Sequence, residues 1–106
     1  MVKNLTHQQL IEAANEFGTP LYVYHGERIA DQYKKLQKAF KNCNARFFYA
    51  CKSLTNVNVL KYVQSIGASL DCVSVNEVKL GLMAGFEKQN ILYTPNCVDF
   101  DEILEA

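Results

Sequence analysis

Apolar positions along the chain switch between a helical and an extended rhythm. Thr6 with Gln9 three residues on has the form of a capping box, and Leu10, Ala14 and Phe17 then share one helical face. Gly18 followed by Pro20 predicts the stop. Leu21–Tyr24 reads as a short strand of β-branched and aromatic residues. Ile29, Tyr33, Leu36 and Phe40 recur at steps of four, three and four, while Lys34, Lys35, Lys38 and Lys41 occupy other faces. That spacing predicts a second amphipathic helix.

From there the pattern repeats as strand and helix. Ala45–Lys52 is a dense apolar and aromatic run, too continuous for a sheet with one wet face. A helix follows in which Val59, Leu60 and Val63 pack and Gly67 ends it. Ser69–Val75 predicts a second strand, Asn76–Ala84 a helix stopped by Gly85, and Asn90–Asn96 a third strand. Asp99 with Glu102 opens a last helix that runs to Ala106.

The predicted strands end at Lys52, Ser74 and Asn96, an even spacing of 22 residues. Buried strands alternating with helices imply parallel pairing through crossovers, hence an α/β fold. The spacing would also suit a leucine-rich solenoid, but its L-x-x-L-x-L signature is absent and the helices are full-length. A (β/α)8 barrel needs about 250 residues. The 106 residues here supply barely three of its eight units, so the expectation is the first three βα units of a TIM-type barrel.

Composition narrows the partners. A hydrophobic content of 49% with 21% charged residues excludes wholesale disorder. Eleven basic and eleven acidic residues balance, so the chain lacks the electrostatic footprint of a nucleic-acid or anionic-membrane binder. The start MVKNLTHQQL has no apolar core of a secretory signal, and the longest apolar run, Phe47–Cys51, is too short to span a bilayer. A soluble, cytoplasmic protein is the expectation. Cys43, Cys51, Cys72 and Cys97 form no C-x-x-C pair, and neither His7 nor His25 lies close to one in sequence. The expectation is no metal site and four reduced thiols acting as small hydrophobes.

Functional groups of α/β folds gather at the carboxyl ends of the strands. Lys52 ends an apolar strand there, with Phe48 and Ala50 on its side by alternation. An amine drawn toward an apolar pocket is a candidate nucleophile for carbonyl chemistry, although most strand-end lysines merely reach for solvent. Asp71, between Leu70 and Cys72 within the second strand, needs a partner, and Lys52 on the neighbouring strand is the obvious one. Its ordinary role would be a structural ion pair. Glu77 opens the next helix, where the helix dipole alone favours a carboxylate.

Together these residues carry a resemblance. FGTPLYVYH (17–25), RFFYACKS (46–53), LDCVSVNEVKLGLMAGF (70–86) and NILYTPNCVD (90–99) resemble the diaminopimelate decarboxylases. These belong to the alanine-racemase-fold group of pyridoxal-phosphate enzymes, with the ornithine and arginine decarboxylases. The resemblance implies that Lys52 is the lysine that binds pyridoxal 5'-phosphate, with Ala50 the small residue lining the barrel beside it. It places Asp71 as the carboxylate near cofactor and lysine, Ser74 and Glu77 at the matching serine and acidic positions, and Asn96 at the end of the third strand.

There are departures: Cys51 stands where valine or leucine is usual, Ser53 for alanine, Val75-Asn76 for Gly-Gly, and Pro95 for glycine. They touch neither Lys52, Asp71 nor Glu77. No A-N-A-Y-G-H run follows Lys52, which argues against alanine racemase itself. The implied reaction is decarboxylation of meso-2,6-diaminopimelate to L-lysine, with the cofactor as electron sink. The alternatives are an ornithine-, arginine- or carboxynorspermidine-type decarboxylase, and a non-catalytic interaction module built from the same barrel.

The implied division is 1–25, a helix and strand contributing to a separate β-domain, and 26–106, a partial cofactor-binding barrel. No glycine-rich phosphate loop is present, since the five glycines include neither a G-x-G nor a pair. The segment is therefore expected to be inactive alone. The family further implies a homodimer, and the uncovered parallel edge implies that this segment self-associates.

Overall fold

Capping side chains set most helix starts. The computed structural model describes residues 3–106. Thr6 and Gln9 close the capping box of α1 (His7–Phe17), each side chain accepting from the other's backbone N–H. Helix α2 spans Gly26–Ala39. Asn56 accepts from the N–H groups of Asn58 and Val59 to start α3 (Val57–Ser65). Ser74 accepts from Glu77 N–H at α4 (Val75–Met83), and Asp99 from Glu102 N–H at α5 (Phe100–Glu105). Each cap satisfies a backbone donor that the helix cannot. Gly67 and Gly85 take φ of +88° and +94° after α3 and α4, turns that a side chain would strain.

Three parallel strands lie in the order β1 (Phe48–Ala50), β2 (Ser69–Cys72), β3 (Ile91–Tyr93). The register sets Ala50 beside Asp71, and Asp71 beside Leu92. One sheet face turns Tyr49, Leu70, Cys72 and Ile91 toward the helices. There Leu60 and Val63 of α3, Ala84 and Phe86 at the end of α4, and Leu70 and Cys72 form the core. Leu60, Leu70, Cys51 and Cys72 are fully buried. Gly81 lets α4 approach β2, because a Cβ there would stand 2.5 Å from Leu70 Cδ2. The opposite face carries Phe48, Ala50, Asp71 and Leu92, and Phe48 and Leu92 remain exposed.

Parallel α/β architecture holds, with three corrections of detail. Leu21–Tyr24 forms no strand: the segment pairs with neither edge of the sheet, and all four residues are exposed. The strands are shorter than the apolar runs that predicted them, since pairing stops where β1 turns into a 3-10 turn at Cys51–Ser53. Helix α1 buries none of its residues, and the predicted face of Leu10 and Phe17 stays exposed. Helix α2 docks through Ile29 and Tyr33, while Leu36 and Phe40 are half-exposed. Tyr33 and Phe40 meet Phe47 edge to face at 6.1 and 5.8 Å.

Candidate functional site

Parallel strands bring their carboxyl ends to one edge, and the crossovers open there. Lys52 lies just past β1 within the 3-10 turn, exposed, and joins no ion pair or side-chain hydrogen bond among the described residues. Leaving the strand at Ala50 frees it from the alternation that the sequence pattern extended through it. Ala50 ends β1 on the face that carries Asp71, directly beside it in register.

Asp71 does not pair with Lys52. Its Oδ1 accepts from Thr94 Oγ1 at 2.6 Å, one residue beyond β3, and the two ion pairs among the described residues are Lys35–Asp31 and Lys79–Glu105. The hydroxyl answers the polar demand of a partly buried carboxylate without neutralising it. Thr94 went unnoticed in the sequence, although it follows Leu92 by two residues and so shares its face. Arg46 was missed as well. At the other end of this face it lies 5.1 Å over the Phe48 ring and donates to Gln89 O, Asn90 Oδ1 and Ser69 Oγ.

Ser74 and Glu77 serve the start of α4. Ser74 is the cap, and the Glu77 carboxylate accepts from Val73 N–H at 2.7 Å. Glu77 is buried on the helix side of the sheet, with a carboxylate oxygen within 4.8 Å of both the Cys51 and Cys72 sulfurs. It therefore sits across the sheet from the Asp71 carboxylate. Asn96 is exposed in the loop after β3, with no side-chain hydrogen bond among the described residues.

Burial pushes the Cys72 thiol up to about 12, helped by Cys51 and the Glu77 carboxylate. Burial, with Glu77, also raises Cys51. At neutral pH both are neutral thiols packed as small apolar groups, whereas Cys43 and Cys97, expected to pack likewise, are exposed.

The profile of the family described as "Pyridoxal-dependent decarboxylase, pyridoxal binding domain" matches residues 26–106, well over half of the chain. The chain belongs to that family. Pyridoxal phosphate is the cofactor of these decarboxylases, which are lyases. The pyridoxal-dependent decarboxylase domain is 45% identical over 95 residues to diaminopimelate decarboxylase of Methanothermobacter thermautotrophicus. That match covers 88% of this chain and 22% of the relative.

Among solved structures, lysine/ornithine decarboxylase from Vibrio vulnificus superposes with a TM-score of 0.84 at 28% identity, over 96% of this chain and 28% of that one. Diaminopimelate decarboxylase from M. jannaschi gives 0.80 at 31% identity, over 90% and 23%. The chain thus spans about a quarter of the length of the relatives it matches. The three parallel strands are consistent with the N-terminal part of the family's barrel domain. No helix among the described residues is long and apolar enough to cross a membrane.

Proposed function

We propose that the full-length protein decarboxylates meso-2,6-diaminopimelate to L-lysine, using pyridoxal phosphate anchored on Lys52. The observation that carries this is an exposed lysine directly past β1 that joins no ion pair among the described residues, with the Asp71 carboxylate one strand over. That donor set fits the cofactor: an available amine for its aldehyde and a carboxylate held nearby by Thr94. Bound pyridoxal phosphate supplies the electron sink for the carbanion left when carbon dioxide departs.

The chain's own residues do the positioning. Lys52 binds the cofactor, Ala50 leaves it room, and Asp71 presents a charge kept in place by the Thr94 hydroxyl. Ser74 and Glu77 act on the site by seating the N-terminus of α4, and Asn96 faces it from the loop after β3. Residues 1–25 belong to a second, β-rich domain in this reading, and the full-length protein works as a cytoplasmic homodimer. The 106 residues alone are inactive.

The diaminopimelate assignment is supported by the 45% identity to the Methanothermobacter relative. The TM-score of 0.84 to a lysine/ornithine decarboxylase favours a second reading, the same chemistry on one of those amino acids. Borohydride reduction of the cofactor-loaded full-length protein, followed by peptide mapping, is expected to place the label on Lys52. Label on any other lysine overturns the assignment. Carbon dioxide release from diaminopimelate, but not from ornithine, lysine or arginine, decides the substrate, and no release from any of them leaves the non-catalytic module.

A further inference from the structure

Behind the sheet, away from the Asp71 face, three potential ligands converge that no sequence motif announced. Cys51 opens the turn after β1, Cys72 ends β2, and Glu77 lies in the first turn of α4. The two sulfurs and a Glu77 carboxylate oxygen all lie within 4.8 Å of one another, and all three residues are buried. We propose that Cys51, Cys72 and Glu77 bind a thiophilic divalent cation of the zinc and cadmium class, tying the ends of β1 and β2 to α4.

Geometry and charge both support the site. A tetrahedral zinc ion with sulfur at about 2.3 Å and oxygen at about 2.1 Å sets its ligand atoms roughly 3.5–3.8 Å apart. Glu77 is only 9% exposed, and its carboxylate has one donor, Val73 N–H, with no Lys, Arg or His in an ion pair among the described residues. A buried carboxylate lacking a counter-charge is costly, and a cation there supplies one.

The ligands are also held in place beforehand. Cys72 sits in the central strand, and Ser74 caps the helix that carries Glu77. Two sulfurs and one oxygen select soft and borderline ions over magnesium or calcium. Binding releases the two thiol protons to the buffer and leaves the ion with two thiolates and a carboxylate. Cys72 and Asp71 point to opposite faces of β2, and the metal-binding readouts need no cofactor, so their failure is distinguishable from failure of the decarboxylase reading.

The test uses the chain with Cys43→Ser and Cys97→Ser, which removes the two exposed thiols, in a phosphine reductant and without cofactor. Cadmium titration is expected to raise a saturable ultraviolet thiolate-to-metal charge-transfer band at one ion per chain, and cadmium or zinc to raise the thermal midpoint. Cys51→Val, which restores the residue usual at that position in the family, should fold and abolish the band. Glu77→Gln should keep the band but weaken binding roughly tenfold or more. Absence of a saturable band overturns the proposal, as does unchanged affinity in either variant. A readout needing no ligand variant is alkylation: zinc should slow modification of Cys51 and Cys72 in moderate urea, and equal rates with and without zinc overturn the site.

Discussion

Replacing Gly81 by alanine probes how closely α4 must lie on the sheet for Ser74 and Glu77 to reach the strand ends. The added Cβ would stand 2.5 Å from Leu70 Cδ2 and 3.4 Å from Ile91 Cδ1. Leu70 is fully buried in the central strand, so its methyl has nowhere open to swing. Two terms oppose each other. Alanine gains about 1 kcal/mol in a helix interior relative to glycine, whereas an extra methyl in a packed core costs about 1–3 kcal/mol. The expected balance is a loss of about 1 kcal/mol, equivalent to a fall of about 4–8 °C in midpoint for a domain of this size.

Urea unfolding followed by circular dichroism measures it. Combining the change with Leu70→Ala supplies the decisive comparison, because removing the struck methyl should erase the Gly81→Ala penalty and leave only the helix gain. The two substitutions should therefore couple by about 2 kcal/mol. A Gly81→Ala chain as stable as the parent would refute this reasoning, and so would a penalty undiminished in the Leu70→Ala background.

The raised Cys72 thiol predicts an alkaline weakness. Its folded value of about 12 lies above the ordinary 9.0, so the unfolded chain loses that proton first. The contribution is complete below pH 9 and is lost as pH climbs toward 12. Cys72→Val should flatten the fall in urea midpoint across that window, and an unchanged slope would count against it. Thr94→Val removes the donor to Asp71 and should cost about 0.5–1 kcal/mol, since both groups are partly solvated, while Thr94→Ser restores most of it. Equal stability of the valine and threonine forms would contradict that bond. The chain should self-associate through its uncovered Asp71 face and β1 edge, where Phe48 and Leu92 are exposed. Sedimentation that shows a monomer at every concentration would exclude it.

Thr6 with Gln9 and Asp99 with Glu102 announced helix starts, because a cap joins residues three apart and its donor and acceptor are both visible in a short window. The order of strands and helices, and hence the parallel α/β architecture, followed from the same short-range rhythm. Motif pairs spread over the chain pointed to the family that the profile match shows.

Other features depended on which segments met. Leu21–Tyr24 has strand-like residues but docks on neither edge of the sheet, so its propensity found no ladder. Lys52 reads as the last strand residue, yet β1 ends at Ala50 and releases it into a turn. Asp71 found Thr94, 23 positions away, instead of the lysine that the sequence suggested. Cys51 and Cys72 looked like unrelated thiols until the register of β1 on β2 and the seating of α4 brought them to Glu77. By itself, then, the sequence determined the helices, the three paired strands and their order, because these rest on contacts a few residues apart. Only the tertiary structure decided which side chains share a face and touch, because strand register and helix docking join positions more than twenty residues apart through packing that no local pattern records.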